Sequence, residues 1–433
     1  MIMVELALVL TFVVLLTLGV PVAFCIGLAT MLAMLVSIDP GPALTTIAQR
    51  MAGGINSFAL LAIPLFILSG LLMGQGGIAR RLIDFAKCLV GMVPGGLAFV
   101  NVISCTLFGA ISGSAVAATS AVGGFMVPAM NEEKYEREFS AALTATSATT
   151  GLLIPPSNIL IVYAVASGGV SIAALFVGGY LPGVLVALCL MGVCAIYAKR
   201  RNMPAGGVVS GREFLGHTLA AAPSLFLIVL VIGGIIGGIF TATEAGAIAV
   251  LYALGLSVLI YREVAVRELP GILLKATETT AIVMLLVGTS MAMSWLLAFQ
   301  NVPVLVAETL LAFSDNPLMI LLMINLVLLL VGSFMDMTPA VLIFTPIFLP
   351  VAVQLDMSPL HFGIMMVLNL SIGLCTPPVG SVLFVSCAIA RTSIAKIIRP
   401  LMPMYAAMFV ALLLVTYVPF FSEALPRFFG LYE

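Results

Sequence analysis

Charge is what this 433-residue chain has least of. Only 8% of its residues are Asp, Glu, Lys or Arg, while 62% are hydrophobic and the mean hydropathy is +1.27. A soluble globule usually carries about 25% charged residues, so that class is excluded and the chain reads as a polytopic membrane protein. The net charge of −1, with no basic stripe beyond short loops, gives no reason to expect a nucleic-acid partner. Histidine is nearly absent: His217 and His361 are expected in loops and solvated. No Gly-x-Ser-x-Gly or His-Glu-x-x-His pattern occurs, so an intramembrane hydrolase lacks its residues and the chain is not expected to be an enzyme. The seven cysteines form no Cys-x-x-Cys pair and lie mostly in apolar runs, where a small buried hydrophobe is the reading over metal or disulfide chemistry. The N-terminus also lacks the basic region and cleavage site of a signal peptide, so 4–18 is expected to remain as a helix.

What is present is a broken pattern that occurs twice. Gly-Leu-Leu-Ile-Pro-Pro-Ser-Asn at 151–158 interrupts an apolar segment at 139–166, and Gly-Leu-Cys-Thr-Pro-Pro-Val-Gly at 373–380 interrupts another at 362–389. A proline pair removes two amide donors and pushes the preceding residues out of helical geometry, so each helix must break within the membrane. The positions differ by a constant 222 for Gly151 and Gly373, Pro155 and Pro377, and Pro128 and Pro350. The expected fold is therefore an all-α polytopic membrane protein made of two copies, 1–201 and 219–433, joined by a polar cytoplasmic linker at 202–218.

In the first copy, helices within 4–74 are followed by an uncharged run at 89–130, the broken helix at 139–166 and a span at 174–198. The segment 37–57 reads as a polar connection. The centre of the uncharged run, Phe108-Gly-Ala-Ile-Ser-Gly-Ser-Ala115, is small and rich in hydroxyls. Its backbone is tolerable at membrane depth only inside protein or beside a cavity. A re-entrant hairpin with its tip at 112–114 is expected; an external turn between two full spans is the alternative. Basic residues flank this run on both sides (Arg80, Arg81 and Lys87, then Lys134 and Arg137), which places both ends in the cytoplasm.

The second copy has helices within 220–298, a hairpin at 317–353 with Gly-Ser-Phe-Met-Asp-Met-Thr-Pro at 332–339, the broken helix and a span at 401–421. Its hairpin is flanked by loops without Lys or Arg, at 301–316, which holds Glu308 and Asp315, and at 354–361. The two hairpins then face opposite membrane sides. An inverted-topology repeat of this kind belongs to secondary transporters with a site at the midplane, and both termini are expected outside.

A helix broken in the membrane leaves free carbonyls on one half and free amides on the other. The carbonyls near Gly151 and Ile154 can face Ser112, Gly113 and Ser114, and those near Gly373 and Thr376 can face Gly332, Ser333 and Thr338. Two cation pockets are expected, with Na⁺ as occupant because no chain of intramembrane acids or histidines for proton relay is visible. Ser157 and Asn158, with Ser112, Ser114 and Thr338 from the tips, can hold a carboxylate substrate. Close helix packing by the same small residues is the competing account. Asp336, the one acid at a tip, is open between a cation ligand and a helix cap, while Glu244 reads as the far end of a capping box from Thr241.

Taken together, Leu-Gly-Val-Pro at 18–21, Gly-Ala-Ile-Ser-Gly-Ser-Ala at 109–115, Gly-Leu-Leu-Ile-Pro-Pro-Ser at 151–157 and Cys-Thr-Pro-Pro-Val-Gly at 375–380 resemble the large membrane subunit of the tripartite ATP-independent periplasmic (TRAP) transporters, the DctM or SiaM type, over essentially the whole chain. The resemblance implies Na⁺-coupled uptake of an organic acid (a C4-dicarboxylate, sialic acid or a sugar acid) across a bacterial inner membrane by an elevator movement. It also implies two partners, a small four-helix membrane subunit and a periplasmic solute-binding protein, and no organic cofactor. No segment resembles the small subunit, which is expected on a separate chain. A single-chain Na⁺/carboxylate symporter needing no binding protein is the alternative.

Overall fold

The computed structural model describes residues 2–207, 210–314, 316–377 and 379–432. Asp315 and Pro378, both used in the sequence reading, lie outside the described residues. Every regular element among the described residues is helical. Among the described residues, eight helical stretches are long and apolar enough to cross a membrane.

The first part runs α1 (Ile2–Thr17), α2 (Val22–Ser37), α3 (Pro40–Ile55), α4 (Ala62–Gln75), α5 (Ile78–Val90), α6 (Gly96–Ser112), α7 (Ala115–Glu132), α8 (Arg137–Thr150), α9 (Asn158–Ala166), α10 (Ile172–Gly178) and α11 (Tyr180–Arg200). After the connection come α12 (Gly211–Ile236), α13 (Ala242–Leu254), α14 (Leu269–Phe299), α15 (Val302–Phe313), α16 (Pro317–Phe334), α17 (Met337–Gln354), α18 (Pro359–Gly373), α19 (Ser381–Ala390), α20 (Ile394–Tyr417) and α21 (Phe420–Phe428). The spacing seen in the sequence extends to the elements. Both α7 and α17 have 18 residues, and their starts (115, 337) and ends (132, 354) each differ by 222. Lys134 and Asp356, also 222 apart, both adopt positive φ (66° and 59°) just after those helices.

Several expected boundaries are corrected. The connection at 37–57 is the helix α3, which Pro40 can start because its missing amide donor is not needed in the first turn. The loop at 301–316 contains α15, opened in the same way by Pro303 after Asn301 in the left-handed region (φ 57°). The linker at 202–218 is cut short, because a capping box between Ser210 and Glu213 starts α12 at Gly211. The span at 174–198 is two abutting helices, α10 and α11. The last span begins earlier than 401, at Ile394, and stops at Tyr417, where Val418 turns extended (φ −122°, ψ 92°) and α21 follows separately. His361 is not a solvated loop residue. It lies buried in the first turn of α18, with Nε2 2.6 Å from the Val415 carbonyl. The Glu244 capping box is present: its carboxylate accepts from the Thr241 amide at 2.8 Å.

Packing sorts the helices by neighbour. Helices α2, α3 and α4 lie against the long α14, and α4 also packs on α13. The pair α6–α7 packs on α8, and the pair α16–α17 packs on α18. The two sets are then interlaced, because α9 lies against α17 and α19 lies against α7 and α8. This crossing brings elements about 222 residues apart to one place.

Candidate functional site

At the first turn, α6 ends at Ser112 and Gly113 takes the left-handed conformation (φ 62°), with its amide donating to Gly109 O at 2.8 Å. Glycine is the residue that enters this region without strain. Ser114 then caps α7, its hydroxyl accepting from the Ala117 amide at 3.3 Å. Ser112 Oγ donates to Ser114 O at 3.3 Å, so the two hydroxyls organise the turn. The second turn carries a carboxyl group instead. Met335 and Asp336 are extended, and Asp336 occupies the cap position of α17 without a side-chain capping bond.

Each turn touches a break through glycine. A Cβ placed on Gly151 would fall 2.4 Å from Gly109 Cα, and one on Gly373 would fall 2.6 Å from Gly332 Cα, closer than real Cβ contacts come. Backbone therefore lies on backbone at both places. The second break is tied further to its turn by the Val379 amide donating to Ser333 O at 3.2 Å.

The breaks differ in how their polar groups are used. In the first, the Leu152 and Leu153 amides reach back to Thr149 O and Thr150 O at 3.1 and 3.2 Å, tightening the end of α8. Ser157 is fully buried and donates to Leu152 O at 2.5 Å. In the second, Thr376 donates its amide to Gly373 O and its hydroxyl to Ile372 O, both at 2.8 Å. The Thr376 hydroxyl is the donor in that bond, so the bond itself uses none of its lone pairs.

A cavity of about 390 Å³ lies where these parts meet. It collects Ser112, Gly113 and Ser114 from the first turn, Asn158 from the start of α9, and Asp336 and Thr338 from the second turn. Of the residues singled out in the sequence, Ser157, Gly151, Ile154, Gly332, Gly373 and Thr376 do not line it. Gly151, Gly332, Gly373, Ser157 and Thr376 stand behind the turns in the contacts just described, whereas Ile154 is buried with its side chain against Gly183 of α11. The opposite wall is an apolar face of α4 (Ile63, Ile67, Gly70, Leu71) and a face of α14 (Thr279, Ile282, Val283, Leu286). A Cβ on Gly70 would come 2.6 Å from Ser112 O, so the first turn sits directly on α4.

Sequence reasoning missed Thr279, Ser381 and both walls. Ser381 had a usable signal, since it starts α19 as Asn158 starts α9, 223 residues earlier. Thr279 had none, being one hydroxyl inside a long apolar helix. Asn158 Oδ1 and Ser381 Oγ are buried without a hydrogen-bond partner, and both residues line the cavity. Among the described lining residues Asp336 is the only charged one. No group of three or more His, Cys, Asp or Glu side chains capable of holding a metal occurs among the described residues. The groups on offer are carbonyls, hydroxyls, amides and one carboxylate, a set suited to a hard cation and to the acid group of an organic molecule.

Comparison with known proteins gives a family and a fold. The family model described as the tripartite ATP-independent periplasmic transporter, DctM component, matches residues 9–421. The chain is 53% identical over 97% of its length, and 96% of the other protein, to "Uncharacterized protein YgiK" of Salmonella typhimurium. It is 40% identical over 86% of its length, and 87% of the other, to the C4-dicarboxylate TRAP transporter large permease protein DctM of Pseudomonas aeruginosa. A crystal structure of the YdaH transporter of Alcanivorax borkumensis shares the fold, with a TM-score of 0.63 at 15% identity, covering 90% of this chain and 91% of that one.

Proposed function

From the premise that the chain belongs to the DctM family of tripartite ATP-independent periplasmic transporters, we propose that it is the Na⁺-coupled large subunit of an organic-acid importer working by an elevator movement. It is a multi-pass protein of the inner membrane. What supports the sodium reading is the contact of each turn with a break, Gly109 on Gly151 and Gly332 on Gly373, beside the cavity that Ser112, Gly113, Asp336 and Thr338 line.

In this reading α6–α7 and α16–α17 are re-entrant hairpins in two inverted repeats, with both chain termini outside. One Na⁺ sits among Ser112, Gly113, Gly151 and Ile154, and the other among Gly332, Asp336, Gly373 and Thr376. The α4 and α14 faces belong to the scaffold past which the hairpin domain slides. The substrate acid lies at the amino end of α9, where free amides and Asn158 meet it with the positive end of the helix, and Ser112, Ser114 and Thr338 complete the contacts. Ser157 supports the break through Leu152 O. Asp336 gives coupling a physical basis. When Asp336 is ionised, two like charges about 6 Å apart at an effective dielectric of about 20 repel by roughly 3 kcal/mol, so a cation or a proton on the carboxyl eases entry of an anion. C4-dicarboxylates, as in the name of the Pseudomonas relative, sialic acid and sugar acids are the substrate classes considered. The partners are a small four-helix membrane subunit and a periplasmic solute-binding protein.

The test is uptake by proteoliposomes holding the large and small subunits, with the binding protein added outside. An inward Na⁺ gradient should drive accumulation, and omitting either partner should abolish it. Equal uptake driven by a proton gradient in Na⁺-free buffer would remove the sodium assignment. Uptake by the large subunit alone would favour a single-chain symporter.

A further inference from the structure

Three carbonyls around the second break are engaged within the break itself. Ile372 O accepts from the Cys375 amide at 3.1 Å, Gly373 O from the Thr376 amide at 2.8 Å, and Thr376 O from the Gly380 amide at 3.1 Å. The Cys375 carbonyl is satisfied from elsewhere, by the hydroxyl of Tyr405 on α20. The peptide unit joining Cys375 to Thr376 is planar, and it is therefore held at both ends, its oxygen by Tyr405 and its N–H by Gly373 O. The Cys375 side chain is fixed as well, with Sγ donating to Ala145 O of α8 at 3.3 Å. That plane sets where the hydroxyl and carbonyl of Thr376 stand.

The first break is supported differently. The positions 222 residues before Tyr405 and Cys375 are Gly183 and Leu153. A glycine has no hydroxyl to offer, and here the chain closes by proximity instead. A Cβ on Gly183 would come 2.4 Å from the Ile154 side chain, and one on Gly179 would come 2.0 Å from Leu153 O. Both breaks have close glycine contacts, but only at the second does a tyrosine hydroxyl from another helix hold a break carbonyl, a bond that substitution can remove while keeping the ring.

We propose that Tyr405 is a positioning residue for the cation pocket at the second break, an inference that rests on the sodium reading above. Tyr405→Phe keeps the ring and leaves the Cys375 carbonyl without its partner, so the 375–376 peptide can rotate and Thr376 is no longer presented in one orientation. The hydrogen bond that is lost does not involve Ser112, Gly113, Gly151 or Ile154, and the packing of α20 on α8, where Thr146 Oγ1 donates to Met404 Sδ at 3.5 Å, is left in place.

The experiment compares wild type and Tyr405→Phe in the reconstituted complex, titrating Na⁺ at saturating substrate. The loss of one hydrogen bond to a buried carbonyl predicts a half-saturating Na⁺ concentration raised roughly threefold to tenfold. The maximal rate at saturating Na⁺, and the substrate KM there, should stay within twofold. A second measurement is independent of transport: the Na⁺-dependent rise in melting temperature of the purified complex should need a correspondingly higher Na⁺ concentration. Wild-type titrations in both assays would overturn the proposal. So would a lower rate at every Na⁺ concentration with an unchanged midpoint, which is what a merely structural role predicts. A wild-type protein showing no Na⁺ dependence in either assay would instead sink the sodium reading itself, and this inference with it.

Discussion

Replacing Gly373 by alanine perturbs the second break where it touches the second turn. The added Cβ would stand 2.6 Å from both Cα and C of Gly332 and 2.8 Å from its oxygen, whereas ordinary contact begins at 3.4 Å. All three are backbone atoms, so no side chain can swing away, and the turn must retreat from the break by about 0.8 Å, from 2.6 to 3.4 Å. Forcing one methyl group into such a contact typically costs about 1–3 kcal/mol. If that cost falls on the Na⁺-bound arrangement, the apparent Na⁺ affinity drops by about fivefold to 150-fold, since roughly 1.4 kcal/mol is a factor of ten. The assay is Na⁺ titration of uptake by the reconstituted complex. Gly192→Ala serves as the control, because this exposed glycine in the middle of α11 has nothing within 4 Å of the added Cβ. The control should transport normally and gain slightly in stability, as helix-interior Gly→Ala changes do. A Gly373→Ala protein with the Na⁺ midpoint of the wild type would refute the claim that this glycine contact builds a cation pocket.

Further outcomes follow from the same geometry. Ser112→Leu and Thr376→Val should each reduce uptake while leaving membrane insertion intact, checked by transport and surface labelling of the same preparations; unchanged Na⁺ dependence in both would show the pockets to be misplaced. Gly70→Ala places its methyl 2.6 Å from Ser112 O, so it should disfavour the arrangement in which the first turn rests on α4. A cysteine pair across that contact should then crosslink more slowly than in the parent, and an equal rate would contradict a tight seat.

Much of this arrangement was legible because membranes make backbone expensive. Two Pro-Pro pairs in apolar segments must break helices wherever they fold, and the constant offset of 222 carried over from prolines to whole elements such as α7 and α17. The residues at the turns were legible too, since small hydroxyl-bearing runs stand out among leucines. The helices α3 and α15 were not: α3 reads as mixed and α15, though apolar, is too short to span, while packing against α14 and α17 supplies their order. His361 was misread because a single histidine beside a loop gives no hint that Val415 will offer it a carbonyl. Sorting the site into cavity and backing also needed coordinates. Ser157 and Asn158 are adjacent, yet one turns inward to Leu152 O and the other faces the cavity.

The central claim is that the two hairpins enter from opposite sides of the membrane. Lys134 and Asp356 probe it directly, since they are exposed, occupy equivalent positions 222 residues apart, and sit at the outer ends of α7 and α17. With single cysteines at these positions, Lys134→Cys should react with an impermeant thiol reagent only from the cytoplasmic face and Asp356→Cys only from the external face. Reaction of both from one face would contradict the inverted arrangement, and with it the paired cation pockets.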